Sequence, residues 1–292
     1  MSTIKVNKIS QVINNSDIDE RVSTLSSSLV KRGAGRTGQE RSRTYQRWLR
    51  VLSPFLLILL WELSTRLGTL DYRFFPAPSM IFGSFLNMLG DGSLFNASLI
   101  TLRRLFLGFV IGAFLGVVVG LWLGLSSWSR SVFEPWIQLT YPIPKLAIYP
   151  LLMIIVGMGE PAIVTLLAIA TFYIVVISTI SGVISINKTY IDVGKDSGAN
   201  FIQFFFTIAL PASLPVIFTS IEVAMGIAFI VVIAAEFLGS SSGLGYIIWT
   251  SWEVFALAPM YVSIVVISLL GFLSVLAVRA LGDYLMPWRN HR

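Results

Sequence analysis

The chain offers few side chains able to make or break bonds. It has no cysteine and a single histidine, His291, beside the C-terminal end. Disulfides, iron–sulfur clusters, thiol nucleophiles and histidine metal cages therefore lack their ligands. What remains within or at the mouths of the apolar stretches is a sparse set of charges, chiefly Arg103, Arg104, Lys145, Glu222 and Glu236. An ionisable group at membrane depth is costly unless it is paired or wetted. Lys145, beside Pro142 and Pro144, reads either as a pairing or snorkelling group or as a contact for an anionic solute. Glu236 either pairs with a cation and braces the Gly243-Leu244-Gly245 turn, or belongs to an outer gate. Arg103 and Arg104 suit an outer interface and could draw anions inward, whereas Glu222 reads as a helix-packing or interfacial residue. No nucleophile–base spacing and no metal-ligand cluster accompanies them, which argues against an intramembrane enzyme.

The elements that must position these residues are helices in lipid. Of 292 residues, 55% are hydrophobic and 12% charged, and the mean hydropathy is +0.79; soluble domains carry about 25% charged residues. Crossing the hydrocarbon takes about 20 apolar residues in a helix, and uninterrupted runs exclude barrel strands. Six spans are expected, near 49–67, 99–125, 132–158, 161–185, 213–239 and 257–281. The first is the weakest, interrupted by Ser53-Pro54 and Glu62. Residues 1–47 are polar, Ser-rich and basic and read as a flexible cytoplasmic tail without a cleavable signal peptide; residues 48–292 form the membrane domain. The net charge of +6 reads as topology rather than nucleic-acid binding. Arg130, Lys188, Lys195 and Arg279 fall on the same side as the basic run before the first span, so both termini are expected in the cytoplasm.

Within span two, Gly108, Gly112, Gly116, Gly120 and Gly124 recur every four residues and lie on one face. They form either a packing seam, within the chain or against a second copy, or a groove lining a path. Span three carries Pro142, Pro144 and Pro150, which remove backbone donors and favour kinks or unwinding; Tyr141, Pro144 and Lys145 are its candidate path residues. Glu236, Gly243 and Gly245 are the matching candidates at the outer end of span five.

The long connection 186–212 is too punctuated to be a mere turn. Gly198 can bend the chain between two short helices, Asp196 or Ser197 can cap one of them, and Pro211 and Pro215 suit the start of the next span. Phe201, Phe204 and Phe205, at i, i+3 and i+4, predict an apolar stripe on the second short helix. The stripe would face the bilayer, the protein's own helix ends or a partner's groove.

Gly198 followed by Ile208-Ala209-Leu210-Pro211 resembles the glycine and Ile-x-Leu-Pro half of the cytoplasmic loop motif of bacterial ABC importer permeases. Six residues before Gly198, Asp192-Val193-Gly194 stands where that family usually has Glu-Ala-Ala, a departure that keeps the acid but puts glycine in the first short helix. The likeness spans roughly 50–290. FFPAPS, TLRRLFLGFVIGAFLGVVVGLWLG, YPIPKLAIYPLLMIIVGMGE, LPASLP and AAEFLGSSSGLGYII are similar to the nitrate, sulfonate and taurine importer branch.

The resemblance implies an all-α type I importer (MetI-like) permease fold with six transmembrane helices in the bacterial inner membrane. It implies that Asp192, Gly194, Gly198, Phe205, Ile208, Leu210 and Pro211 belong to a loop coupled to a separate ATPase. It also implies a second permease copy, most simply a homodimer, and a periplasmic or lipid-anchored solute-binding protein, with no nucleic acid. No G-x-x-x-x-G-K-[ST] phosphate loop is present, since Gly194-Lys195 is followed by Asp196 and lacks the earlier glycine. No cofactor is expected in this chain; ATP and Mg would be bound by the partner. Transport of a small anion by alternating access is the implied function. An ion-coupled secondary carrier is the alternative, disfavoured because neither a hydropathy repeat between halves nor a buried relay is evident.

Overall fold

A computed structural model of the protein describes residues 22–24 and 52–288, and within these it is helical with no strands. The expected 1–47 tail lies outside the described residues except at 22–24. Two compact units are distinguished, Met1–Thr69 and Leu70–Arg292. In the first, helix α1 occupies 52–66. Glu62, which breaks the apolar run, is answered one turn on by Arg66, Nε to Oε1 2.6 Å.

The second unit contains α2 (Pro78–Gly90), α3 (Ser93–Leu125), α4 (Ser127–Thr140), a 3-10 turn (Lys145–Ile148), α5 (Tyr149–Val156) and α6 (Glu160–Ile184). There follow α7 (Lys188–Asp196), α8 (Phe201–Phe204), a π turn (Phe205–Ala209), α9 (Leu210–Gly239), α10 (Leu244–Glu253) and α11 (Leu257–Leu285). Among the described residues four helical stretches are long and apolar enough to cross a membrane: α3, α6, Phe201–Gly239 and α11. A fifth is formed if α4 and the Lys145–Val156 stretch, bent by 86°, count as one broken span. The described part of the first expected span, 52–66, falls short of the about 20 residues a crossing needs.

The core is built on the glycine seam, and its partner is within the chain. A Cβ at Gly116 would lie 2.8 Å from Cβ of Val175, one at Gly120 2.5 Å from Cβ of Thr179, and one at Gly124 2.6 Å from Cβ of Val183. Gly108 and Gly112 face Leu167 and Thr171 in the same way. All these partners are on α6, at the same four-residue spacing. The backbones of α3 and α6 therefore meet directly, as small residues allow where lipid supplies no hydrophobic drive. Phe109, Leu166, Ala228 and Val232 continue the buried core from this seam onto α9. By contrast, only 11% of the α11 span window is buried.

Candidate functional site

The first candidate region is the 186–212 connection. Two amide side chains start its short helices: Asn187 Oδ1 accepts from Thr189 N at 2.9 Å, and Asn200 Oδ1 accepts from Gln203 N at 2.9 Å. Gln203 Oε1 in turn accepts from Asn200 N at 3.0 Å, completing a capping box. The N-caps are thus Asn187 and Asn200, whereas Ser197 closes the C-terminal end of α7, where its N–H (3.0 Å) and its hydroxyl (2.7 Å) both donate to Val193 O. Gly198 has φ +69 in the turn between the helices, a conformation that costs a side-chain-bearing residue about 1–2 kcal/mol. The glycine of the divergent Asp192-Val193-Gly194 stretch does not prevent α7 from forming. Gly194 is buried where a Cβ would meet Ile208 Cδ1 at 2.7 Å, so it admits the following segment.

The second short helix is not separate from span five. It passes through the π turn into α9 as one helical stretch, Phe201–Gly239. The extra residue of a π turn falls just before Pro211, which has no N–H to give and sits in the first turn of α9. The predicted aromatic stripe also splits. Phe204 and Phe205 pack inward with Ile191, Ile208 and Leu210 against buried Ala209 and Ile217, whereas Phe201 is exposed. The large apolar side chains exposed on the two short helices are Tyr190, Val193, Phe201 and Ile202, with Asp192 exposed beside them.

The second region is the break in span three. The chain is not helical from Pro142 to Pro144, and the Lys145 ammonium closes the gap by donating to the carbonyls of Thr140 (3.1 Å), Tyr141 (2.8 Å) and Ile143 (3.1 Å). It also lies 4.1 Å from the centre of the Tyr173 ring on α6. The Tyr173 hydroxyl is 2.8 Å from Thr140 Oγ1. Lys145, Thr140 and Tyr173 edge a groove of about 640 Å³ whose remaining walls, including Ile111, Leu115 and Ile169, are apolar apart from Thr165.

The third region is a buried network at the opposite end of α9 from the 186–212 connection. Glu236 is fully buried. Its Oε1 accepts from Arg104 Nη1 at 2.8 Å and is 2.9 Å from Thr101 Oγ1; its Oε2 accepts from Gly245 N at 2.8 Å. Arg104 also donates to Ser242 O (2.8 Å) and Ser242 Oγ (3.0 Å), and Thr101 Oγ1 accepts from Leu244 N at 2.9 Å. The first turn of α10 is thus tied to α3 through one carboxylate and one guanidinium. Gly243, at φ +108, and Gly245 are required by proximity, because a Cβ on either would run into the Glu236 side chain.

Arg104 is therefore not an interfacial group as its position suggests; it is 5% exposed. Arg103, pointing the other way, is exposed and pairs with Glu160. Glu222 pairs with Arg279 on α11, 3.1 Å apart. Sequence reading passed over Thr101, Thr140, Tyr173 and Ser242. The Arg104–Glu236 pair did carry a signal: adjacent arginines diverge by about 100° on a helix and so call for two different carboxylates.

Among the described residues no cluster of acids and histidines could hold a metal, and the charges at the ends of the spans are tied in internal pairs. This is the build of a multi-pass membrane protein. Residues 108–285 match the family described as the inner membrane component of binding-protein-dependent transport systems, and the chain belongs to that family. It is 30% identical over 264 residues to the putative aliphatic sulfonates transport permease protein SsuC of Bacillus subtilis, covering 90% of this chain and 96% of that one. It is 31% identical over 240 residues to the taurine transport system permease protein TauC of Escherichia coli, covering 80% and 87%. In fold it is similar to a chain of the inward-facing MetNI methionine ABC transporter, with a TM-score of 0.56 at 19% identity over 64% of this chain and 92% of that one. The chain is thus an ABC transporter permease with the type I importer fold, an inner membrane subunit of a class that is not itself enzymatic.

Proposed function

We propose that this permease carries a small sulfonate-type anion, such as taurine or an alkanesulfonate, into the cell by alternating access. Nitrate remains within the same chemical class. A separate ATPase binds ATP and Mg and drives the cycle, and a periplasmic or lipid-anchored binding protein delivers the solute. Two copies of the chain form the pathway, each with six membrane helices and both termini in the cytoplasm. The substrate class is supported by the names of the relatives.

The observation that carries the coupling role is the continuity of Phe201–Gly239. A short capped helix with exposed apolar side chains is the first turn of a membrane-spanning helix, so a push on Phe201 or Ile202 is delivered to α9 without a flexible joint. Residues Asp192 to Pro211, including Gly194, Gly198, Phe205, Ile208 and Leu210, then act as the lever for the ATPase. Tyr141, Pro144 and Lys145 border the path in the broken span, and Glu236, Gly243 and Gly245 hold its outer end.

The test is site-specific cross-linking. The chain has no native cysteine, so Ile202→Cys gives a single reporter. Cross-links to the ATPase subunit that change with ATP are expected; a reporter that labels equally well with and without the ATPase, and never links to it, argues against the lever.

A further inference from the structure

The prolines of span three remove donors that a membrane cannot replace. In an unbroken helix the Thr140 carbonyl would accept from the N–H four residues on, but that residue is Pro144, and the carbonyl keeps only a long backbone bond, 3.3 Å, from the Ile143 N–H. The Tyr141 and Ile143 carbonyls lie in the same unwound stretch. Carbonyls short of donors at membrane depth are costly in hydrocarbon, and irregular backbone persists there only when protein or water satisfies it.

We propose that Lys145 is an intramolecular staple: its ammonium replaces the missing peptide donors and holds span three open as two rigid pieces. A lysine ammonium has three N–H groups, and here three carbonyls receive them. Its charge is balanced by those carbonyls, which include the negative end of α4, and by the Tyr173 ring; among the described residues no carboxylate pairs with it. The Tyr173–Thr140 hydroxyl contact fastens the same corner to α6. The 86° bend is consequently built into the resting chain and does not await solute or nucleotide. Lys145 is a positioning residue: it sets the angle at which α5 meets the path, and its hydrogen-bonding capacity is already spent on backbone. This goes beyond the transport reading above and does not depend on which solute is carried.

Spin labels on Gln138→Cys and Leu151→Cys, both exposed and one on each side of the break, measure the separation across it in the purified full chain. A single narrow distance distribution is expected with Lys145 present. Lys145→Met, which keeps length and removes every donor, should broaden it about twofold or more, because nothing else nearby supplies three N–H groups. Lys145→Arg should restore the narrow distribution.

If Lys145→Met does not accumulate, Lys145→Met/Pro144→Ala decides. The alanine returns an N–H for the Thr140 carbonyl, so recovered protein with a longer label separation supports the staple, and no recovery contradicts it. The proposal is overturned if Lys145→Met leaves the distribution unchanged, including the case in which it alters only the solute concentration needed for uptake. It is overturned equally if arginine does no better than methionine. The distance measurement needs no transport, so its failure is distinct from failure of the importer reading.

Discussion

Arg104→Met tests whether the buried outer network is a structural joint. In the intact protein Arg104 gives two hydrogen bonds to Ser242 and one to the Glu236 carboxylate, and both side chains are almost wholly buried. Removing the guanidinium leaves Glu236 with only Thr101 Oγ1 and the Gly245 N–H, and leaves the Ser242 carbonyl without its guanidinium donor. Breaking a buried pair by taking one partner costs about 3–5 kcal/mol. At about 2–4 °C per kcal/mol for a chain of this size, the Tm should fall by about 6–20 °C.

The double variant Arg104→Met/Glu236→Met removes the stranded charge as well. Apolar replacement of both partners is often neutral or better, so it should recover at least about 1 kcal/mol relative to the single variant. Recovery is only partial, because Thr101 and Gly245 lose the carboxylate that answers them. The assay is thermal unfolding of the purified permease in detergent, run on the wild type, both singles and the double. The reasoning is refuted if Arg104→Met shifts Tm by less than about 2 °C, or if the two single losses simply add.

Gly120→Val should separate α3 from α6, since even a Cβ would sit 2.5 Å from Thr179 Cβ; accumulation in membranes should fall, with a stability loss of about 1–3 kcal/mol. Gly226→Ala, where nothing lies within 4 Å, is the matched control and should accumulate normally. Asn200→Ala removes the capping box at the start of the lever and should cost about 0.5–2 kcal/mol locally, seen as faster amide exchange over 201–205 with unchanged exchange in α6. Gly198→Val forces a β-branched residue into φ +69 and should lower uptake more than it lowers ATP hydrolysis; equal uptake to wild type would count against the bend.

Most of the helices were legible because apolar runs bounded by Gly, Pro and Ser leave the backbone little choice in lipid. The glycine spacing in α3 disclosed a close approach, but a period of four says which face is used and nothing about which helix meets it; that partner, α6, lies about 60 residues on. The prolines of span three announce a break, while the lysine beside them reads either as a pairing or snorkelling group or as a contact for an anionic solute. Its role depends on the direction of a flexible side chain, which spacing does not encode.

The connection 186–212 was read as two short helices followed by a separate span. Helix α8 instead runs on into α9, because the π turn, in which the Leu210 N–H reaches back to Phe205 O, absorbs the mismatch set up by Pro211, which has no N–H. That merger turned Phe204 and Phe205 inward and left Phe201 and Ile202 outside. Long-range pairs were the least legible: Arg104 and Glu236 are 132 residues apart, and only the fold brings their elements together.

The most direct test is reconstitution into vesicles, with accumulation of labelled taurine or an alkanesulfonate measured for the permease alone and with the ATPase and binding protein added. Accumulation against a gradient only when all three components and ATP are present is the predicted result. Concentrative uptake by the permease alone, driven by a proton or sodium gradient, would contradict the account.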